Sequence, residues 1–325
     1  MDTMRVPTLA LISVLSIGAC GASVVDDDGA STSSAAVLQE NGLKYNGLKY
    51  NGLKFSGMTF NGMGLGTGSS SATGSTLYNV RLEKTSLVGK LSSGTTVAGK
   101  GFVGATLVGV LENGKTVKVG IAEIRSTKDA EVLHYALKTW DAYGSRWVDA
   151  CGAGEMAVPV AGIWRNDGSK ATSTTDFTFA CVDSSAIGKC VMLGYKPWSL
   201  ADYHQACVRM IRADYCGDGT SYTQDGNAIN VFDRLRIQQD DHTSYSGNWI
   251  FDAEWGPNGA VCISHVGRPA GADIPCSGQT FFCSSSSSRF RSGVLLKNWV
   301  RLPDQYQRTS TDSNNNNYNF QIDSR

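Results

Sequence analysis

The chain has 325 residues, of which 41% are hydrophobic, and its formal net charge is zero. This length and composition suffice for two modules with at least one buried core. The zero net charge argues against a large basic surface of the kind that binds nucleic acid, so nucleic acid is not a predicted partner.

The first twenty residues have the features of an export signal. Residues 6–19 are apolar apart from three hydroxyl side chains, and the run is shorter than the roughly 20 residues that span a bilayer. Ile17-Gly18-Ala19-Cys20 resembles a bacterial lipobox, in which the cysteine thiol receives a diacylglycerol. We therefore predict a signal peptide over residues 1–19 and a lipid on Cys20, with an ordinary secretory signal as the alternative. The predicted location is the bacterial cell envelope, as an outer-membrane lipoprotein or an extracellular protein.

Three segments of simple composition come next. Residues 20–40 are small and polar and are predicted to be a tether. Residues 41–65 hold five copies of a pentapeptide such as Asn-Gly-Leu-Lys-Tyr, a period typical of pentapeptide-repeat solenoids. Five copies make barely more than one coil, so we expect them to dock on the following segment or to act as a spacer, with an independent binding solenoid as the alternative. Residues 66–76 are a predicted Gly/Ser/Thr linker.

Residues 77–137 form a predicted β-rich module. Residues 97–111 and 115–121 are predicted as two strands around Asn113-Gly114, because Asn-Gly supplies the positive φ angles of a tight hairpin. Residues 132–137 are a further predicted strand.

Residues 138–308 form a predicted disulfide-rich domain. The alternation of Phe177, Phe179 and Cys181 predicts a half-buried strand, and residues 249–255 show the same pattern. Residues 293–300 are another predicted strand. The polar residues 309–325 are predicted to be disordered.

One helix is predicted over residues 199–215. Tyr203, Cys207, Met210 and Asp214 form a single stripe at helical spacing, and Gly217 is the expected terminator. The predicted fold class is therefore α+β and β-rich, a disulfide-linked antiparallel sheet domain with one main helix. A small β module and the short pentapeptide-like repeat precede it.

Eight cysteines follow the predicted lipid site: Cys151, Cys181, Cys190, Cys207, Cys216, Cys262, Cys276 and Cys283. None belongs to a Cys-x-x-Cys pair, so neither a zinc ribbon nor a thioredoxin-like site is indicated, and no cofactor is predicted. An even number in an exported chain predicts four disulfides, with the pairing left open. If Cys207 and Cys216 both lay on the helix they would be roughly 13 Å apart, too far to bond each other. Each would then pin the helix to surrounding strands.

Residues in and after the helix are the candidates for chemistry. Asp214 on an apolar stripe must be paired, either with Arg209 or Arg212 or with backbone donors, and acid–base catalysis is the alternative. His204 lies three residues before Cys207, so a catalytic group of His204, Asp214 and Tyr215 is conceivable. A cysteine nucleophile would require a free thiol, which an even count does not leave.

The loop at residues 217–227 is a possible calcium site. Asp218, Asp225 and Asn227 offer the oxygen ligands that calcium prefers, without the EF-hand spacing. Asp-Gly dipeptides are also ordinary turn formers, so a metal-free loop is the simpler interpretation.

Residues 212–219 read Arg-Ala-Asp-Tyr-Cys-Gly-Asp-Gly, and the tetrapeptide at 213–216 resembles the one that names the ADYC domain. Further blocks of the chain are similar to that family, namely residues 177–181, 187–191, 194–198, 253–255 and 259–262. The whole resemblance covers roughly residues 138–268. The resemblance implies an exported protein of myxobacteria or their relatives, and it implies no reaction.

The combined prediction is an exported, lipid-anchored envelope protein that acts as a non-enzymatic binding or structural module. Its predicted partners are the membrane, through the lipid, and an envelope component or protein that the sequence does not specify. The alternative is a secreted hydrolase or transferase with a site around His204, Asp214 and the loop at 217–227.

Overall fold

A computed structural model describes residues 54–59, 76–91, 93–110, 116–141, 143–164, 168–171, 176–223, 228–238, 249–264, 274, 276, 282–283, 289–301, 308–309 and 319–320. This part of the chain contains the helices α1 (Ala186–Met192) and α2 (Ala201–Arg212). The strands are β1 (Lys54–Thr59), β2 (Thr76–Glu83), β3 (Ser86–Leu91), β4 (Thr96–Ala98), β5 (Thr106–Val110), β6 (Thr116–Ser126), β7 (Leu133–Asp141), β8 (Arg146–Asp149), β9 (Ala157–Ala161), β10 (Ile163–Trp164), β11 (Lys170–Ala171), β12 (Phe177–Cys181), β13 (Ala228–Asp233), β14 (Ile250–Gly256), β15 (Gly259–Ile263), β16 (Leu296–Arg301), β17 (Arg308–Thr309) and β18 (Asn319–Phe320).

The predicted signal peptide, Cys20, the tether and most of the repeat, linker and tail lie outside the described residues. Within the predicted tail, β17 and β18 pair with each other. No helix in the described residues is both long and apolar enough to cross a membrane.

Ten antiparallel strands form the larger sheet, in the order β12-β9-β7-β6-β5-β1-β2-β3-β4, with β8 beside β7. β1 comes from the pentapeptide segment and pairs with both β2 and β5. Residues 54–59 therefore dock on the β-rich segment, the first of the two arrangements expected for the repeat. The sheet is continuous across residues 137 and 138, because β7 spans both.

The strand predicted over residues 97–111 is divided in two, and this prediction was wrong. Gly99 and Gly104 adopt φ angles of +49° and +87°, which interrupt an extended strand. Between them a 3-10 turn at Gly99–Phe102 turns Phe102 into the core, where its side chain is fully buried. The strand predicted over 132–137 is β7.

Two hydrophobic cores meet at β12. Phe177, Phe179 and Cys181 pack into the core enclosed by the larger sheet, whereas Ala180 belongs to a second core around the two helices. All five residues of β12 are buried, so the prediction of a half-buried strand was wrong here. A strand with a core on each face is buried on both.

The second core lies between α1, α2 and a four-stranded antiparallel sheet of order β13-β16-β14-β15. The predicted fold class, α+β and β-rich, is confirmed. The second helix, α1, was not predicted, although Ser185 caps it by accepting a hydrogen bond from the backbone N–H of Gly188. The main helix ends at Arg212 rather than near Gly217, because Ala213 adopts a left-handed conformation with φ of 52°.

Candidate functional site

The eight cysteines form four disulfides: Cys151–Cys181, Cys190–Cys207, Cys216–Cys276 and Cys262–Cys283. Cys207 and Cys216 do not bond each other, although the premise of the prediction, that both lie on the helix, does not hold. Cys216 lies after the helix, and the partner of Cys207 is on α1, so the expectation of two links from the helix to strands was wrong. The bond between Cys190 and Cys207 instead joins the two helices.

The tetrapeptide at 213–216 ends α2 and ties it to the smaller sheet. Ala213 is the left-handed residue that closes the helix, and Cys216 forms a disulfide. Gly217 approaches the β14–β15 turn so closely that an added Cβ would lie 1.8 Å from the carbonyl oxygen of Asn258. Only glycine fits at this contact, which also requires a φ of +70°.

Asp214 is fully buried and forms an ion pair with Arg209. Its carboxylate also accepts hydrogen bonds from the backbone N–H of Gly219, at 3.2 Å to Oδ1 and 3.1 Å to Oδ2. Burial raises the pKa of Asp214, and the adjacent Arg209 opposes that shift. Both structural roles expected for this carboxylate are therefore present together.

Tyr215 belongs to a buried polar network in the second core. Its hydroxyl donates to Oδ1 of Asp252 at 2.7 Å, and its ring stacks on Trp255 at 5.1 Å between centroids. Asn298 donates to the other oxygen of Asp252 at 2.9 Å and accepts from the indole N–H of Trp255 at 2.7 Å. These bonds fix Tyr215 as a packing residue.

The structure does not bring His204 to Asp214. His204 lies in the first turn of α2, and eight residues, or roughly 12 Å along the axis, separate it from the end of the helix at Arg212. Its Nε2 lies 3.1 Å from the carbonyl oxygen of Ile187 on α1. Burial lowers the pKa of His204 to about 3, so the imidazole is neutral at physiological pH.

The two possible metal sites differ in what the structure shows. Asp218 accepts a hydrogen bond from the backbone N–H of Thr220 at 2.8 Å, an ordinary turn contact, while Asp225 and Asn227 lie outside the described residues. Ligand atoms of Glu254, Cys262 and Cys283 lie within 4.8 Å of one another, but the two sulfurs form a disulfide and do not offer thiolates to a metal.

A cavity of about 390 Å³ lies beside the first turn of α2, within the ~300–1,000 Å³ range of small-molecule sites. The strands β10 and β11 form one wall, α2 the second, and the β14–β15 turn with Pro257 and Asn258 the third. Gln205 Nε2 donates to the carbonyl oxygen of Gly168 at 3.2 Å and so ties α2 to the first wall.

Trp164 and Lys170 are directly opposite each other in the β10–β11 pair. The Lys170 ammonium lies 5.4 Å from the centroid of the Trp164 ring, a cation–π distance. The Trp164 ring also meets His204 edge-on at 5.2 Å between centroids. All three side chains adjoin the cavity.

Two buried polar atoms near the cavity have no hydrogen-bond partner among the described residues: Nε1 of Trp164 and Nδ1 of His204. The side chains are 1% and 0% exposed, so bulk water does not compensate for the missing bonds. Lys170 is half-buried, and burial lowers the pKa of its ammonium.

The sequence analysis identified His204 but missed Trp164 and Lys170. Strands of two residues, such as β10 and β11, are too short to show periodicity. The one available signal was Asn166-Asp167-Gly168 between them, because Asp-Gly favours a tight hairpin.

The ADYC domain family matches residues 99–269, a little more than half of the chain. The chain belongs to the ADYC domain family. The ADYC match begins earlier than the resemblance at 138–268 suggested, and it includes much of the segment predicted as a separate β-rich module. All residues that line the cavity fall within the ADYC domain. No curated protein and no solved structure shows significant similarity to the chain.

Proposed function

We propose that this ADYC-domain protein is an exported, lipid-anchored binding module of the bacterial cell envelope, and that its ligand site is the cavity beside α2. The observation that carries the proposal is the cavity itself, whose lining includes the half-buried Lys170, a cation that forms no ion pair within the described residues. A half-buried ammonium beside a cavity attracts a polar or anionic ligand.

The same geometry favours binding over catalysis. A general base works best when its pKa lies near the working pH, and the His204 pKa of about 3 is far below that. Asp214 already pairs with Arg209, and all eight cysteines between residues 151 and 283 are bonded. Export is supported by these disulfides, since such bonds persist in oxidising compartments. The lipid anchor rests on Cys20 and the lipobox-like residues before it.

A thermal-shift screen tests the binding site. The wild-type protein, Lys170→Met and the exposed control Lys90→Met are each heated with a defined panel of monosaccharides, amino acids, small carboxylates and inorganic anions. We expect at least one compound to raise the Tm of the wild type and of Lys90→Met but not of Lys170→Met. A panel in which every compound acts equally on all three proteins overturns the assignment of the site.

Two further assays test the remaining parts of the proposal. Detergent phase partition of the full chain, expressed in a Gram-negative host, is expected to move from the detergent phase to the aqueous phase in Cys20→Ser. Hydrolysis of p-nitrophenyl acetate or p-nitrophenyl phosphate faster by the wild type than by His204→Gln would favour the hydrolase alternative and refute the non-enzymatic role.

A further inference from the structure

We infer that the Cys262–Cys283 disulfide is a thiol–disulfide exchange site, which a dithiol reductant opens at Cys283 while Cys262 leaves as a thiolate beside Arg291. The inference goes beyond the proposed function and does not depend on the cavity. It rests on the charged groups around the Cys262 sulfur and on the different burial of the two cysteines.

Three charged side chains lie against this disulfide. The Arg291 guanidinium donates from Nη2 to Sγ of Cys262 at 2.6 Å and from Nε to Oε2 of Glu254 at 2.8 Å. The other carboxylate oxygen, Oε1, lies 2.9 Å from Nζ of Lys297. Glu254 and Lys297 are 1% and 0% exposed, so water and salt screen their charges weakly.

This group of side chains has a surplus of positive charge. Arg291 and Lys297 contribute two positive charges, and Glu254 contributes one negative charge. A thiolate on Cys262 would bring the net charge to zero. Oε2 of Glu254 lies 3.4 Å from the same sulfur and repels a thiolate, but the Arg291 nitrogen at 2.6 Å is closer and its attraction is stronger.

The contact between Arg291 and the sulfur favours the reduced form. A sulfur in a disulfide is neutral and a weak acceptor, so the oxidised form gains little from the guanidinium. Reduction turns the contact into a hydrogen bond between two charged groups, which is stronger. Stabilising the reduced form raises the reduction potential, and a thiolate beside a cation is also the better leaving group.

The two cysteines differ in burial, and this sets the direction of attack. Cys262 is 3% exposed, whereas Cys283 is half-buried and follows the exposed Phe282. An incoming thiolate therefore reaches the sulfur of Cys283 more easily. Attack there makes Cys262, the cysteine beside Arg291, the leaving group.

The exchange transfers two electrons from the dithiol to the protein. A thiolate of the reductant attacks Sγ of Cys283, a mixed disulfide forms, and the electron pair of the broken bond remains on Sγ of Cys262. The second thiolate of the reductant then attacks its own sulfur in the mixed disulfide. Cys283 leaves as a thiolate that takes a proton from water, and the reductant becomes a disulfide.

Graded reduction of the oxidised wild-type full chain tests the site. The protein is equilibrated with dithiothreitol buffers of increasing reduced fraction, quenched with acid, alkylated and mapped by peptide mass spectrometry. Cys216–Cys276 is the internal control, because both of its cysteines are half-buried and neither sulfur accepts a charged donor within the described residues. We expect Cys262–Cys283 to be reduced at a lower ratio of dithiol to disulfide than this control.

Two variants test the role of the Arg291 charge. Arg81→Met is the matched control for Arg291→Met, because Arg81 also pairs with a glutamate and its side chain is 52% exposed against 47%. We expect Arg291→Met to lower the equilibrium constant for reduction of Cys262–Cys283 roughly tenfold, or about 30 mV, and Arg81→Met to leave it unchanged. Arg291→Lys keeps the charge and should retain most of the wild-type value, which a role in packing alone would not give.

A monothiol identifies the sulfur that is attacked. After brief exposure of the wild type to glutathione and an acid quench, we expect the mixed disulfide on Cys283. A mixed disulfide mainly on Cys262 overturns the inference, as does reduction of this pair no more readily than Cys216–Cys276. Equal equilibrium constants for Arg291→Met and Arg81→Met refute the role of the charge, and the wild-type measurements decide the question even if Arg291→Met does not fold.

Discussion

The ion pair between Arg209 and Asp214 provides the sharpest test of whether the ADYC tetrapeptide is structural. Asp214→Asn preserves the shape of the side chain and its acceptor for Gly219 but removes the negative charge that pairs with Arg209. The side chains of Arg209 and Asp214 are 10% and 0% exposed. Loss of the ion pair is therefore expected to lower the free energy of unfolding by about 3–5 kcal/mol, the usual result of breaking a buried pair.

A double-mutant cycle isolates the pairwise energy. Arg209→Met alone leaves a buried carboxylate whose protonation burial already favours, and the double variant removes both charges. We expect the double variant to be more stable than the sum of the single effects predicts, with a coupling of about 2–3 kcal/mol. Urea unfolding followed by tryptophan fluorescence, without reductant, gives all four free energies.

The exposed pair of Glu123 and Arg125 is the matched control. Its side chains are 47% and 59% exposed, and the same cycle there is expected to give a coupling near zero. If the buried cycle gave no larger coupling than the exposed one, the ion pair would not stabilise the helix end, and Asp214 would be available for another role.

Other predictions concern strain, covalent links and pH. Gly217→Ala should lower the free energy of unfolding by about 1–3 kcal/mol more than Gly94→Ala does. Both glycines have a positive φ, but only Gly217 lies against a backbone oxygen. Equal unfolding midpoints of the two variants would contradict this. Replacing Cys190 and Cys207 together by alanine removes a disulfide between residues separated by 17 positions. The free energy of unfolding in the same urea assay should fall by about 3 kcal/mol. The denatured, unreduced domain should contain no thiol that reacts with Ellman's reagent. The pKa of His204 is about 3 when folded and roughly 6.5 when unfolded, so its stabilisation is complete above pH 6.5 and is lost as the pH falls toward 3. Between pH 7 and 5 this loss is about 2 kcal/mol, and His204→Gln should unfold with a correspondingly shallower pH dependence.

The sequence was most informative where one element faces one core. The stripe of Tyr203, Cys207 and Met210 located α2, because a helix against a single core needs a single apolar face. It was misleading at β12, because the alternation of large side chains with Thr178 and Ala180 predicted an exposed face, whereas a strand between two cores is buried on both faces. α1 was missed because a helix of seven residues spans barely two turns.

The disulfide pairing and the cavity depend on contacts between distant segments. Cys216 and Cys276 are 60 residues apart, and nothing in their local sequence distinguishes this pair from the other possible ones. Trp164 and His204 meet because a short strand pair and a helix pack together. Their unpaired nitrogen atoms are visible only once all neighbouring groups are in place.

The tetrapeptide and the cavity are mechanically connected through the β14–β15 turn. The carbonyl oxygen of Tyr215 accepts a hydrogen bond from the N–H of Ala260 at 2.8 Å, and Gly217 packs against the carbonyl of Asn258. Asn258 in turn forms part of the third wall of the cavity. The segment that ends α2 therefore also fixes the distance between that turn and the first turn of the helix. Tyr215 and Gly217 thus help to determine the shape of the cavity through the backbone positions that they hold.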